Sequence, residues 1–347
     1  MLKLKSQFNQ SMKKLLFLLA LFASACTSAT QEKFSLTGNS HDIPDGSIAY
    51  LYDYLLKEVI DSVVVESNSF RFDTEVAEYP RLVSLYSSHA PEDERNIWLE
   101  NKPLTLDASQ TPLYSSTVQG SATEDLYHAH RKDLDTTDSY DIRMEKRMAF
   151  VESHPNSTIS TWILSYNKIV FGKDRTQALY DGLNEEQQQN AYGKVVSDYL
   201  AMAVEPEVGE EYVDFSMTDT TGQSLKLSEH LSKITLLEFW SSSCYPCRAE
   251  NPNLVKTYKK YHAQGFEVFA VSTDRDKKKW QGAIEEDGLP WLHVSDLEPF
   301  NNQAKIMYGV KGIPDNFLID ESGTIIARNL RGEKLTQTIA KLLGGTD

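Results

Sequence analysis

The sequence predicts an α/β domain at its C-terminal end, preceded by a helical segment and a small antiparallel β-rich domain. Three observations carry this reading. From Glu207 onward, short apolar runs alternate with helical patterns, which gives α/β layering. Between Ala122 and about Val204 the period is helical, with few prolines and many Glu, Gln, Lys and Arg. Between 31 and 120, short β-branched and aromatic runs are broken by Gly, Asn, Asp and Pro, the spacing of an antiparallel sheet or sandwich.

At the N-terminus, Met12-Lys13-Lys14 precedes the apolar residues 15–22 and then Ala23-Ser24-Ala25-Cys26. A basic start, a short apolar run and small residues read as a secretory signal. The run falls short of the ~20 apolar residues a membrane-spanning helix needs. Ala23-Ser24-Ala25-Cys26 resembles the lipobox of bacterial lipoproteins, although Ala23 stands where Leu is preferred. That resemblance implies cleavage after residue 25 and lipidation of Cys26; the alternative is a secretory peptide in which Cys26 is incidental. Removing residues 1–25 takes away four lysines and no acid, so the formal charge of −15 becomes −15 − 4 = −19. Such acidity argues against a nucleic-acid partner and serves solubility. Beyond Cys26 the chain has two cysteines, spaced C-x-x-C, and so no structural disulfide framework.

Along the chain, strand signals fall at 34–38, 47–52, 60–65, 69–72, 81–86, 96–100 and 104–106. In the helical segment His154-Pro155 marks a break, and Asn156 or Ser157 suits the next N-cap. Gly172 punctuates the following boundary, and Tyr180, Leu183, Tyr192, Val196, Tyr199 and Leu200 read as packing faces. His128 and His130, two apart on a helix, share no face and read as solvated surface rather than a metal site. Beyond 206 the pattern gives a strand at 234–240, a helix at 246–262, a strand at 266–272 and a helix at 277–286. A helical turn at 300–308, a hairpin around Glu321-Ser322-Gly323 and a last helix at 334–343 follow. The domains expected are a signal at 1–25, a β-rich domain at 26–120, a helical connection at 121–205 and an α/β domain at 206–347.

The chemistry gathers around Cys244-Tyr245-Pro246-Cys247, where a buried strand turns into a helix. Free backbone N–H groups and the helix dipole there stabilise negative charge and lower a thiol pKa. Spacing i, i+3 brings Cys247 within disulfide reach, and Pro246 suits a first helical turn. Cys244 is thus the natural attacking thiolate and Cys247 the resolving thiol. A zinc site lacks further ligands nearby, and a C-x-x-C staple closes too small a loop to stabilise much. A copper-binding set of Cys244, Cys247 and His293 stays open. Glu238 interrupts the apolar strand on the face of Leu236 and Trp240. Buried there, its carboxyl would have a raised pKa suited to proton transfer; at a strand end it could simply reach water.

These residues resemble the thioredoxin-like TlpA/ResA-type thiol-disulfide oxidoreductases, over 207–347. The matching pieces are Phe239-Trp240 before the C-x-x-C, Pro252 where the family kinks its helix, Gly312-Ile313-Pro314, and Phe317-Leu318-Ile319-Asp320. The resemblance implies a thioredoxin fold and a redox-active Cys244–Cys247 disulfide, with no further cofactor and no metal. It implies a cis-proline at Pro314, with Ile313 pairing with a substrate peptide, and Trp240, Tyr245 and Pro246 completing the substrate surface. It implies that Glu238, where thioredoxins carry a buried Asp, shuttles the proton of Cys247. Glu250 matches a glutamate of the ResA branch that tunes the thiols, or is an ordinary helix-surface residue. Ser243 stands where most relatives have Trp, and Asp315, where Thr is common, would add charge near the partner groove. Residues 31–120 resemble the β-rich domain of unknown function that precedes thioredoxin domains in many lipoproteins, through 34–38, Ile60-Asp61-Ser62, Phe70 and Gln119-Gly120-Ser121.

The expected function is a lipid-anchored disulfide reductase of the cell envelope, facing the periplasm or the cell surface. Exported protein thiols and disulfides would be its partners, an upstream membrane donor would supply electrons, and cytochrome c maturation is the family's precedent. A copper carrier or partner-binding module is the alternative. A thiol peroxidase is disfavoured because the Pro-x-x-x-Thr-x-x-Cys arrangement is absent.

Overall fold

The computed structural model describes residues 33–344 apart from Glu75, so the signal and Cys26 lie outside the described residues. The chain forms two compact units, Met1–Asp125 and Leu126–Asp347. Among the described residues, no helix is long and apolar enough to cross a membrane.

The first unit contains β1 (Ser35–Ser40), β2 (Ile48–Asp53), β3 (Glu58–Val64), β4 (Ser69–Phe72), β5 (Arg81–Ser87), β6 (Arg95–Leu99), β7 (Pro103–Ala108) and β8 (Thr117–Gln119). They make two four-stranded sheets, ordered β4-β1-β7-β8 and β3-β2-β5-β6. Alternating side chains such as Leu36, Leu51, Leu85, Ile97 and Leu104 bury into one shared core. Pairing is antiparallel as expected, with one exception: β7 lies parallel to β1. The chain leaves this sheet after β4 and re-enters it, by way of β5 and β6, in the direction of β1. Gly38 is required where β1 meets β4, because a Cβ there would sit 2.1 Å from the Phe70 ring. Asp53 and Arg81 form a buried pair at 2.6 Å, and the same carboxylate accepts the backbone N–H groups of Leu55 and Leu56.

Helices α1 (Ala122–Asp133), α2 (Tyr140–Ser153), α3 (Thr158–Phe171), α4 (Lys173–Asp181), α5 (Glu185–Gln189) and α6 (Ala191–Met202) follow. Ser139, Ser157, Asn184 and Asn190 accept first-turn N–H groups as N-caps of α2, α3, α5 and α6. His128 is exposed as expected, but His130 is buried against Phe150, with ring centroids 4.4 Å apart. Two residues apart on α1, the pair points in different directions, and only one side meets solvent.

In the rest of the second unit, β9 (Ser216–Thr218) and β10 (Ser224–Lys226) form a small hairpin that the strand pattern did not announce. The main sheet is β13-β12-β11-β14-β15, built from β11 (Ile234–Trp240), β12 (Phe266–Ser272), β13 (Leu292–Val294), β14 (Asp315–Asp320) and β15 (Ile325–Arg328). Strands β11, β12 and β13 are mutually parallel, whereas β14 runs antiparallel to β11 and β15 to β14. One face packs on α7 (Tyr245–Tyr261), α8 (Lys277–Asp287) and α10 (Gly332–Leu342). The other packs on the β9–β10 hairpin and α9 (Gln303–Met307). Ile306 of α9 also packs with Ile169, Tyr199 and Ala203 of the helical layer. This central sheet of mixed direction, with a C-x-x-C helix on one face, is a thioredoxin fold.

The Asp53–Arg81 pair lends itself to a stability test. Asp53→Ala leaves the Arg81 charge buried without its partner, so unfolding free energy from urea melts should fall by about 3–5 kcal/mol. A loss below about 1 kcal/mol, the level of an exposed pair, would show that Arg81 finds water.

Candidate functional site

All seven residues of β11 are buried, and the strand ends directly at the loop that carries the cysteines. Ser242 fixes this loop: its N–H and hydroxyl donate to the buried Asp274 at 2.9 and 2.5 Å. Cys244 then caps α7, its Sγ accepting the Cys247 N–H at 3.2 Å, and Pro246 falls within the first turn. Cys244 and Cys247 are joined as a disulfide. The two sulfurs differ in access, since Cys247 is buried and Cys244 half-buried at the helix N-terminus. Helix dipole and N–H donor both favour a thiolate at the outer sulfur. Tyr245, 83% exposed, and Pro246 flank it on the surface, and Pro252 lies inside α7.

The Ile313–Pro314 peptide is cis, and both residues are half-buried at the start of β14. Antiparallel pairing of Phe239 with Asp315 brings this turn to the same end of the sheet as the cysteine loop. Trp240 departs from expectation. It is buried to 2% exposure, in the core cluster that holds Cys247, and its ring lies 5.4 Å from that of His293. Its place in a strand covered on both faces takes it off the substrate surface. Asp315 departs too: it is buried and paired with Arg328 at 2.7 Å, so its charge is neutralised rather than offered to a groove.

Glu238 is buried in mid-strand, at 8% exposure. It shares the α7 side of β11 with Leu236 and Trp240 by strand alternation. Burial pushes its carboxyl up to about 8, opposed by the Asn316 amide and the Arg331 charge and assisted by Glu250 and Asp315. Asn316 Nδ2 donates to Glu238 Oε2 at 2.9 Å and to the Leu330 carbonyl at 2.8 Å, while its Oδ1 accepts the Leu330 N–H. Arg331 donates to the Pro314 carbonyl. Glu250 Oε1 accepts the Gly332 N–H at 2.7 Å and the Asn253 amide at 2.8 Å, tying α7 to the start of α10. Asn316 and Arg331 are the residues that sequence reasoning missed. Asn316 carried the same signal as Glu238, a polar side chain inside an apolar strand run.

His293 lies in β13, and burial pushes it down to about 3. Its ring lies tilted against those of Trp240 and Trp291, with centroids 5.4 and 6.0 Å away. Among the described residues, no group of three or more His, Cys, Asp or Glu could hold a metal ion.

Glu238 makes stability depend on pH with a definite sign. A carboxyl whose folded pKa is raised from 4.5 to about 8 contributes most below 4.5, and that contribution is lost as pH rises towards 8. Stability should therefore fall across this window by up to about 1.4 kcal/mol per pH unit. The Glu238→Gln variant should lack that slope in melts of the oxidised protein, and parallel curves for the two proteins would place the carboxyl in water.

Comparison with known proteins agrees with this geometry. Residues 208–328 match the AhpC/TSA family, and residues 34–127 match the domain of unknown function DUF4369. The thiol-disulfide oxidoreductase ResA of Halalkalibacterium halodurans is 30% identical over 149 residues, covering 42% of this chain and 83% of that protein. ResA of Geobacillus thermodenitrificans is 33% identical, covering 39% of this chain and 73% of the relative. Among solved structures, the thioredoxin domain of a thiol-disulfide oxidoreductase from Bacteroides vulgatus is 34% identical. That match covers 40% of this chain and 99% of the other, with a TM-score of 0.37. With a relative this similar across most of its length, and a C-x-x-C helix on a thioredoxin sheet, the chain belongs to the ResA-type thiol-disulfide oxidoreductases.

Proposed function

We propose that this enzyme is a lipid-anchored disulfide reductase of the cell envelope that acts on exported proteins through Cys244 and Cys247. The observation that carries the reading is the asymmetric sulfur pair, one half-exposed at a helix N-terminus and one buried.

In the reduced enzyme the Cys244 thiolate attacks one sulfur of a partner disulfide, and the other partner sulfur leaves as a thiolate. A Cys244–partner mixed disulfide results. Glu238, in its carboxylate form, takes the proton of the Cys247 thiol. The Cys247 thiolate then attacks the Cys244 sulfur and expels the second partner sulfur as a thiolate. Two electrons have passed to the partner, and the enzyme is left as the Cys244–Cys247 disulfide. A thiolate of an upstream dithiol donor attacks the Cys244 sulfur, and Cys247 leaves and takes a proton from Glu238. The donor's second thiolate then attacks the donor sulfur of the mixed disulfide, freeing Cys244 and leaving the donor oxidised. A carboxyl at about 8 exchanges protons in either direction near neutral pH. Ile313, beside the cis-proline, offers backbone to the partner segment, with Tyr245 and Pro246 at the rim; Glu250 acts on the thiols through the α7–α10 junction. Lipidation of Cys26 would hold the enzyme at the membrane.

Cys247→Ser should accumulate a covalent complex through Cys244 with a protein disulfide substrate, visible on non-reducing gels and lost on adding dithiothreitol. No complex with an accessible, reduced Cys244 would overturn the mechanism. Glu238→Gln should slow turnover at pH 7 by about 10²-fold, the lower end for a positioned proton-transfer group, and remove a titration near pH 8 from the rate profile.

A further inference from the structure

Because β11, β12 and β13 are parallel, the loops that follow them all emerge at one end of the sheet. The first carries Cys244, the second runs through residues 273–276 into α8, and the third spans residues 295–302. Direct contacts join them. Ser242 donates to Asp274, the Ser295 hydroxyl donates to the Ser272 carbonyl, and the Arg275 guanidinium lies 5.7 Å from the centre of the Phe300 ring.

In a chain of net charge −15, this rim concentrates cations: Arg275, Lys277, Lys278 and Lys279 are all exposed. None of them is in an ion pair among the described residues. Of the carboxylates in the same loops, Asp276 is exposed, Asp296 and Glu298 are half-buried and Asp274 is buried, so the exposed charge of the rim is mainly positive. Asp274 accepts from Ser242 and Ser272, Asp276 caps α8, and Asp296 accepts from Asn302 and Gln303. The three lysines also fill the first turn of α8, where the helix dipole disfavours positive charge and acidic residues are usual. Local stability alone would not select them there. Two exposed aromatics complete the rim, Tyr245 beside Cys244 and Phe300 at 64% exposure.

We infer that this rim is the docking surface for an acidic polypeptide segment that flanks the reacting cysteines of the partner. The inference rests on the thiol–disulfide reading above and adds the chemical character of the partner. Charge complementarity would raise the encounter rate and orient the segment along the aromatic–cationic row towards Cys244.

The test measures disulfide exchange by the reduced full-length protein with three peptide disulfides of equal length, one uncharged, one glutamate-flanked and one lysine-flanked. At low salt the glutamate-flanked peptide should react about 10-fold faster than the lysine-flanked one. The ratio should approach one in about 1 M salt, where screening acts within ~3 Å. It should also approach one in the triple variant Lys277→Gln, Lys278→Gln, Lys279→Gln. The ratio is read, not the absolute rate, so a general loss of activity cannot imitate the result. Equal rates for both charged peptides, or a preference that survives in the variant, would overturn the inference. So would a patch whose only effect is to bind phosphatidylglycerol vesicles. Failure of even the uncharged peptide to react would instead remove the thiol–disulfide reading itself.

Discussion

A carboxyl group buried in the middle of a strand is the constraint on which the rest of the second unit depends. β11 is buried from end to end, so Glu238 can be accommodated only if it is neutral or held by designed partners. Asn316 supplies the partner, and it is itself locked to Leu330 through both ends of its amide. The register between β11 and β14 that sets Glu238 opposite Asn316 also sets Phe239 opposite Asp315, which brings the cis-proline turn to the cysteine loop. One pairing register thus aligns the proton-carrying group, its holder and the partner-facing turn. A slip of one residue would turn every side chain of the strand to the opposite face.

Around that strand, charge is distributed with a clear division of labour. Arg248, next to Cys247, is drawn aside by Asp287 at 2.5 Å and Glu286 at 2.9 Å, and this pairing raises its pKa. Arg328 is likewise spent on Asp315, and it lies over the Phe317 ring at 4.4 Å. The cation nearest the sulfurs in sequence, Arg248, is therefore structural, and the helix terminus supplies positive potential directly at Cys244.

Much of this was legible in the residues. The C-x-x-C at a strand–helix junction, the apolar strand with one acid in it and the Gly-Ile-Pro turn are local patterns, and local patterns survive in one dimension. What the sequence hid depends on register and on coverage. Asn316 matters because of what lies opposite it, and Trp240 is withdrawn from the surface because both faces of its strand are covered. His130 and Asp315 were misjudged for the same reason: polarity suggested exposure, and packing partners 20 or 13 residues away, Phe150 and Arg328, decided otherwise. The parallel β1–β7 pair could not be read from strand signals that look alike in either direction.

The helical layer has a bearing on how this enzyme should be dissected. Lys168, buried on α3, donates to Asn301 at 3.1 Å, immediately beside Phe300, and Ile306 beds into the same helices. A fragment beginning near residue 206 would keep both sheet cores and its sulfurs, and with them its intrinsic reactivity. It would lose the clamp on the loop after β13. Reactivity and selectivity would then part company, so an isolated thioredoxin domain could report the right potential and the wrong clientele.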